Sequence, residues 1–175
     1  EMCIRDSLGK DHYELKKWEK FLNHLSEPER TTEIALIGKY VELKDSYISI
    51  AESLIHAGAE NKTRVNIHWI HSSEMEGENI NDQLSKMDGI IVAPGFGSRA
   101  VEGKISAVKF ARENQVPFLG ICLGMQCAVI EFARNVIGFK EAHSTEINND
   151  TSYPVISMME EQKELKNLGG TMRLG

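Results

Sequence analysis

Short apolar runs alternate with segments whose apolar positions recur at helical spacing along most of the chain. The runs at 34–38, 65–70, 89–93 and 116–121 are compact enough to be buried strands. Helices are predicted between them, over residues 45–58, 80–87 and 104–114, and after the last of them, over 126–134. Strands that alternate with helices form right-handed crossovers, so the pattern predicts an α/β fold whose open, mostly parallel sheet is flanked by helices.

The two ends of the chain have a weaker pattern. Residues 8–25 have apolar positions at the spacing of an amphipathic helix, and residues 26–32 are polar and contain Pro28. We therefore interpret residues 1–32 as an N-terminal remnant and interdomain linker helix, and residues 33–175 as one incomplete domain. Residues 142–150 are polar, residues 155–159 form a weak strand candidate, and residues 169–175 include no terminating element. The chain is expected to be a fragment of a longer protein, truncated at its C-terminus.

Composition narrows the range of partners. The formal net charge of −6 gives no basic footprint for nucleic acid or an anionic membrane, and 41% hydrophobic and 26% charged residues are typical of a soluble globular protein. No apolar run approaches the ~20 residues of a membrane-spanning helix. The three cysteines form no CxxC pair, which favours neither a disulfide framework nor a metal site. A reducing cytoplasm is the expected compartment.

The strongest chemical signal is the sequence Gly-Ile-Cys-Leu-Gly-Met-Gln at residues 120–126. It lies between the fourth predicted strand and a predicted helix, which is the layout of a nucleophile elbow. The glycines permit a tight turn, and the N-terminal end of the helix favours the thiolate form of Cys122. A buried structural cysteine is the ordinary alternative, but the flanking glycines and the strand-to-helix position favour a nucleophile.

A thiolate that attacks an acyl carbon needs fixed N–H donors for the oxyanion. The N–H of Leu123 is one candidate, and the turn at residues 94–97 after the third strand offers Gly95 and Phe96, since Pro94 has no N–H. Both turns follow strands, and the chemistry of open parallel sheets lies at the carboxyl ends of strands. A histidine base is harder to find, and His143 is only the least implausible of the six histidines.

These residues resemble the nucleophile elbow of class I, triad-type glutamine amidotransferases. Three further stretches are similar to the amidotransferase domain of the CTP synthase family: residues 34–45 (Ile-Ala-Leu-Ile-Gly-Lys-Tyr-Val-Glu-Leu-Lys-Asp), residues 144–146 (Ser-Thr-Glu) and residues 169–175 (Gly-Gly-Thr-Met-Arg-Leu-Gly). The resemblance extends over residues 8–175, and it implies a class I amidotransferase fold with flavodoxin-like layering.

The resemblance also implies an activity. Cys122 would attack glutamine and form a thioester, and the ammonia would pass to an N-terminal synthetase domain that aminates ATP-activated UTP to CTP in pyrimidine nucleotide biosynthesis. The parent protein would be a glutamine-hydrolysing ligase that uses ATP and Mg, is activated allosterically by GTP and assembles as a homo-oligomer, a tetramer. No cofactor is expected in the present chain.

The resemblance assigns roles residue by residue. Gly95 and Leu123 match positions that supply oxyanion or glutamine contacts; the other matching glutamine-site positions are Gly124, Met125, Gln126 and Glu146. The family's loop Pro-Gly-Gly-Phe-Gly aligns with residues 93–97 without a gap, so Pro94 replaces its first glycine and removes an N–H. His143 stands where the family commonly has asparagine. The family's catalytic histidine and glutamate would follow residue 175, so the fragment itself is expected to be nearly inactive.

Two other interpretations remain open from sequence. The domain could serve a different biosynthetic acceptor, or it could be a non-catalytic regulatory domain that keeps the elbow as a relic. A segment of the type His-Pro-Glu downstream of residue 175 would favour catalysis, and a synthetase domain with a P-loop upstream would favour CTP synthesis.

Overall fold

A computed structural model describes residues 15–75, 80–95 and 100–157 of the chain. The chain divides into two compact units. One contains residues 15–32 and 48–66 of the described part, and the other contains residues 33–47 and 67–157. No described helix is both long enough and apolar enough to span a membrane.

Two helices dominate the first unit, α1 (Lys16–Ser26) and α2 (Ile48–Glu60). The predicted amphipathic helix near the N-terminus is confirmed from Lys16 onward, and residues 8–14 lie outside the described residues. Its Phe21 ring meets the His56 ring edge-on, with centroids 5.4 Å apart. The helix predicted over residues 45–58 begins only at Ile48, because residues Lys44–Tyr47 form a separate 3-10 turn. Gly58 is buried inside α2, where a Cβ would lie 2.5 Å from the Thr63 carbonyl oxygen.

The predicted open sheet is confirmed. Its strands are β1 (Arg30–Gly38), β2 (Thr63–His71), β3 (Gly89–Val92) and β4 (Phe118–Gly120), in the order β2-β1-β3-β4. Strand β3 pairs in parallel with β1 on one side and with β4 on the other. In this register Ile91 lies between Leu36 and Leu119, so the carboxyl ends of the three strands are at one edge.

The core of the second unit forms where α4 (Val101–Glu113) and α5 (Leu123–Phe132) pack on each other and on β3 and β4. Both helices begin three residues before their predicted starts. Their first turns contain buried glycines, which pack against neighbouring backbone but add no apolar side chain to the helical pattern. The apolar core residues include Ile37, Ile90, Val92, Val101, Ile105, Val108, Leu123, Cys127 and Ile130.

One ion pair with a buried carboxylate ties α4 to α5. The carboxylate of Glu131 is 1% exposed and accepts hydrogen bonds from Arg112 Nε at 3.0 Å and Nη2 at 2.8 Å. A carboxylate removed from water is tolerable only with such charge-assisted bonds. The pair therefore fixes the two helices that flank the elbow.

Shorter elements complete the described chain. They are the 3-10 turn Ser72–Met75, α3 (Ile80–Leu84), a π-helical turn Ala133–Ile137, β5 (Ala142–Ser144) and β6 (Tyr153–Ile156). Strands β5 and β6 pair in parallel as a separate two-stranded sheet that contacts α5. The polar segment 142–150 therefore begins with a buried strand. The strand predicted at 155–159 lies earlier, and its last two residues are outside the described part.

Candidate active site

The carboxyl ends of β3 and β4 bring two turns together. The N–H of Ile121, which follows β4, donates to the Val92 carbonyl at the end of β3 at 3.0 Å. Ala93, the next residue after β3, donates to Ile37 at 2.9 Å. The segment from Ala93 to Gly95 and the turn at Cys122 are therefore anchored side by side by main-chain bonds.

Cys122 lies in a strained turn between β4 and α5. Its backbone angles are φ 53° and ψ −110°, a conformation that costs a residue with a Cβ of order 1–3 kcal/mol. The two nearby glycines are required by close approach. A Cβ at Gly120 would lie 2.6 Å from the Gly124 carbonyl carbon, and one at Gly124 would lie 2.1 Å from the Val92 oxygen. The predicted strand, tight turn and helix are all present, and Cys122 is exposed at their junction.

The first turn of α5 leaves one main-chain donor available. Gly124 donates to Ile121 at 2.9 Å, and Met125 and Gln126 donate to Cys122 at 3.0 Å and 3.2 Å. The Leu123 N–H has no acceptor within the described part of the chain. Unpaired N–H groups at a helix N-terminus favour negative charge nearby. The Leu123 amide is thus suited to bind an anionic oxygen next to the sulfur.

Gly95 lies against the start of α5. A Cβ at Gly95 would be 3.9 Å from Leu123 Cδ2 and 3.3 Å from the Lys104 ammonium nitrogen. Its partner in the prediction, Phe96, falls outside the described residues. The structure thus brings Gly95 and Leu123 together beside Cys122.

Tyr47 supports this loop from the other side. Its buried hydroxyl accepts the N–H groups of Lys39 and Tyr40 at 3.1 Å and 3.3 Å, and lies 3.5 Å from the Pro94 carbonyl. Gly38 leaves room for the ring, since a Cβ there would lie 2.7 Å from it. The residues after β1 and those after β3 are therefore held by one phenol.

Lys104 is a site feature that the sequence interpretation missed. Its side chain is 1% exposed, and its ammonium donates to the Ala93 carbonyl at 2.9 Å. Burial lowers its pKa, and nearby Lys39 lowers it further, whereas negative charge at Cys127 and Cys122 opposes the shift. A signal was available, because Lys104 lies at the helical spacing of the inward-facing Val101 and Val108.

The other thiol of α5 is chemically different. Cys127 is fully buried, and this burial raises the pKa of its thiol to about 11, although Lys104 acts in the opposite direction. It is therefore a neutral packing residue at physiological pH.

The remaining predicted residues are distributed unevenly. Gly124 is buried and Met125 is 51% exposed. Gln126 has a buried side-chain carbonyl oxygen without a hydrogen-bond partner among the described residues. Glu146 is exposed, and its own N–H donates to the Ser144 hydroxyl at 3.3 Å. No hydrogen bond or ion pair in the described part joins Glu146 to Cys122, so its role stays a prediction.

His143 belongs to a different cluster. Its Nδ1 accepts the Ser144 N–H at 2.9 Å, and its Nε2 is 3.7 Å from Glu102, which also pairs with Arg134 at 2.8 Å. Its pKa is lowered by burial and then by Arg134, while Glu102 opposes the shift. Within residues 15–75, 80–95 and 100–157, no histidine forms a hydrogen bond with Cys122.

Comparison with known protein families identifies the family to which this arrangement belongs. The family model for "Glutamine amidotransferase class-I" matches residues 42–175, which include both turns and α5. The chain belongs to this family. The unpaired Leu123 amide and the strained cysteine are thus features of an amidotransferase domain.

Individual relatives are similar over most of the chain. The CTP synthase of Cytophaga hutchinsonii is 59% identical over 95% of this chain, and that of Methanocaldococcus jannaschii is 56% identical over 93%. The chain spans only 31% of the length of each. The solved glutaminase domain of Trypanosoma brucei CTPS with bound acivicin superimposes with a TM-score of 0.70 at 38% identity, covering 75% of this chain and 51% of that one.

Proposed function

We propose that this amidotransferase domain releases ammonia from L-glutamine as part of a CTP synthase. The observation that carries the proposal is the strained, exposed Cys122 beside the unpaired Leu123 amide, in a chain with close relatives that are CTP synthases. A non-catalytic relic would have no need to retain a strained backbone at this residue.

The reaction follows from these groups. The Cys122 thiolate attacks the side-chain carbonyl carbon of glutamine, and the resulting oxyanion binds the Leu123 N–H and an N–H of the Gly95–Phe96 turn. The C–N bond breaks as a protonated base donates its proton to the nitrogen, so ammonia leaves and a thioester remains. Water then attacks the thioester and loses a proton to a base, which yields glutamate and regenerates the thiolate.

The other glutamine-site residues hold the substrate in this proposal. The buried oxygen of Gln126 has no partner among the described residues and is available to a ligand N–H. Glu146 supplies a carboxylate for the α-ammonium group, and Gly124 and Met125 line the approach to the sulfur. Pro94 replaces a donor that the family's loop offers, so Gly95 and Phe96 are the donors on that side.

The rest of the reaction belongs to the full-length protein. Its synthetase domain uses ATP and Mg to activate UTP, which the ammonia converts to CTP in the cytoplasm, with GTP as an activator and a tetramer as the working assembly. The present chain alone is nearly inactive toward glutamine, because no described histidine contacts Cys122 to transfer protons.

The test uses the full-length protein that contains this chain and a glutamine-like electrophile. We expect acivicin or 6-diazo-5-oxo-L-norleucine to label Cys122 and to leave Cys127 and Cys3 unmodified, as measured by peptide mass spectrometry. Equal labelling of all three cysteines would contradict the assignment of the nucleophile.

The matched variants are Cys122→Ala and Cys127→Ala. The first should abolish CTP formation from glutamine while formation from added ammonia continues, and the second should retain both activities. Loss of both activities in Cys122→Ala would show that the cysteine serves folding or domain coupling instead.

A further inference from the structure

A buried phenol lies next to the turn that follows β3. Tyr47 is 4% exposed, and its hydroxyl accepts the N–H groups of Lys39 and Tyr40 at 3.1 Å and 3.3 Å. A phenol has one proton to donate, and these two bonds do not use it. The Pro94 carbonyl oxygen, 3.5 Å from the hydroxyl, accepts that proton in a long hydrogen bond. The hydroxyl therefore connects the chain after β1 to the chain after β3.

The oxygen that accepts this bond belongs to the same peptide unit as a proposed oxyanion donor. The carbonyl of Pro94 and the N–H of Gly95 share one planar amide, and no cis peptide bond occurs in the described part of the chain. In a trans amide the carbonyl and the N–H point in opposite directions. The hydrogen bond from Tyr47 to the carbonyl therefore directs the Gly95 N–H away from the phenol.

The fold leaves the Gly95 N–H available to a ligand. It has no acceptor within residues 15–75, 80–95 and 100–157. Gly95 also lies close to Leu123, since a Cβ at Gly95 would be 3.9 Å from Leu123 Cδ2. The Leu123 N–H likewise has no acceptor among the described residues, so two available donors come from residues that are neighbours in space.

We propose that Tyr47 is a positioning residue that orients the Gly95 N–H toward the oxyanion formed when Cys122 attacks glutamine. The hydrogen bond to the Pro94 carbonyl also polarises the shared amide, which makes its N–H a stronger donor. Tyr47 contacts no reacting atom in this role and acts only through the peptide unit between Pro94 and Gly95. The inference rests on the proposed function, which supplies the oxyanion.

The test compares two reactions of Cys122 in the full-length protein that contains this chain. Glutamine hydrolysis passes through an oxyanion, whereas iodoacetamide loses iodide from a saturated carbon and forms no oxyanion. In Tyr47→Phe we expect kcat for glutamate release to fall about tenfold with an unchanged KM, because a misdirected donor weakens only the transition state. The rate at which iodoacetamide alkylates Cys122 should equal that of the parent protein.

A second replacement separates the bond that the hydroxyl donates from the two bonds that it accepts. Para-aminophenylalanine at residue 47 keeps the ring and an N–H donor for the Pro94 carbonyl, but its nitrogen is a poor acceptor for main-chain N–H groups. We expect this variant to recover most of the parent kcat. A kcat as low as that of Tyr47→Phe would overturn the inference, because the accepted bonds would then account for the loss.

The control variant is Tyr153→Phe, which removes the hydroxyl of an exposed tyrosine on β6 and should leave both reactions unchanged. Continued protection of Cys127 from iodoacetamide, followed by peptide mass spectrometry, shows that each variant is folded. If Tyr47→Phe does not fold, Gly38→Ala replaces it in the comparison. Its Cβ would lie 2.8 Å from the Tyr47 hydroxyl oxygen and would displace the phenol from Pro94.

Three other results would overturn the inference. A parent-like kcat in Tyr47→Phe would mean that the hydroxyl does not orient the donor. A raised KM with an unchanged kcat would assign the phenol to glutamine binding. Alkylation that slows together with hydrolysis would mean that the whole turn at Cys122 has moved. A parent protein that hydrolyses no glutamine would instead contradict the proposed function itself, so the two failures are distinguishable.

Discussion

Cys122 and Cys127 are five residues apart, yet they differ in backbone conformation and in exposure to solvent. Cys122 is exposed, has a positive φ of 53° and directly precedes the first turn of α5. Cys127 is fully buried inside the same helix, where burial raises the pKa of its thiol to about 11. The residue type is the same, so backbone position and solvent access decide which sulfur can react.

The contrast also shows how the fold maintains a strained turn. The turn at Cys122 is held between the main chain of Val92 and the first residues of α5, where Gly120 and Gly124 leave no room for side chains. The interior of α5 is held instead by apolar packing around Cys127 and by the ion pair of Arg112 with the buried Glu131. Rigid packing of the helix therefore stabilises an unfavourable backbone conformation at its start.

The substitution Gly124→Ala should have the largest effect on both cysteines, because it displaces the turn at Cys122 and exposes Cys127. Its Cβ would lie 2.1 Å from the Val92 oxygen, a main-chain atom that cannot move without shifting β3. We expect a loss of about 3 kcal/mol in the free energy of unfolding, even though alanine has the higher helix propensity. Urea unfolding measures the loss, and iodoacetamide should also begin to modify Cys127 as α5 separates from the sheet.

Gly95→Ala is the matched control. Its Cβ would lie 3.3 Å from the end of the flexible Lys104 side chain, so we expect a cost below about 1 kcal/mol. Equal destabilisation by both substitutions would show that contact with the main chain of β3 is not what fixes the elbow.

Alkaline pH should lower the free energy of unfolding through one thiol only, because the thiol of Cys127 is buried and that of Cys122 is exposed. The folded state raises the pKa of Cys127 to about 11, above the ~8.5 of an unfolded thiol. The thiol therefore contributes stability that is fully present below about pH 8.5 and is lost as the pH rises toward 11. We expect this loss to be about 3 kcal/mol, measured by urea unfolding at several pH values.

Cys127→Ala tests the assignment of that loss. The variant should lose about 3 kcal/mol less than the parent chain over the same pH interval. Parallel pH curves for the two proteins would contradict the burial of a neutral thiol at this position.

The smallest expected effect is on the stability of glycine and alanine variants at residues 122 and 127, which differ only in their backbone preferences. At residue 122 a glycine should be about 1 kcal/mol more stable than an alanine, because only glycine adopts a φ of 53° and a ψ of −110° without strain. At residue 127 the order should reverse by about 1 kcal/mol, since glycine is unfavourable inside a helix. Thermal unfolding of the four single variants measures both differences, and the same sign at both positions would contradict a strained turn at Cys122.

Much of this site is visible in local sequence. The alternation of apolar runs with helical spacing indicates the parallel sheet, and Gly120, Cys122 and Gly124 indicate the tight turn, because both signals depend on neighbouring residues. The N-terminal ends of α4 and α5 are harder to predict. Buried glycines at 103 and 124 lack apolar side chains, so their contribution to packing leaves no periodic signal.

Other features depend on residues that are distant in sequence. The strand β5 is hidden by polar residues such as His143 and Ser144, which become buried only when β6 and α5 cover them. Lys104 resembles an ordinary helical lysine until Ala93 and the two cysteines are seen around it.

The sequence by itself determined the fold class, the order of the strands along the chain and the turn that carries Cys122. Tertiary structure alone decided which amide of α5 lacks a partner among the described residues and what surrounds the Lys104 ammonium. The physical reason is range: turn geometry and periodicity arise from adjacent residues, whereas burial, charge and hydrogen-bond pairing depend on which distant strands and helices meet.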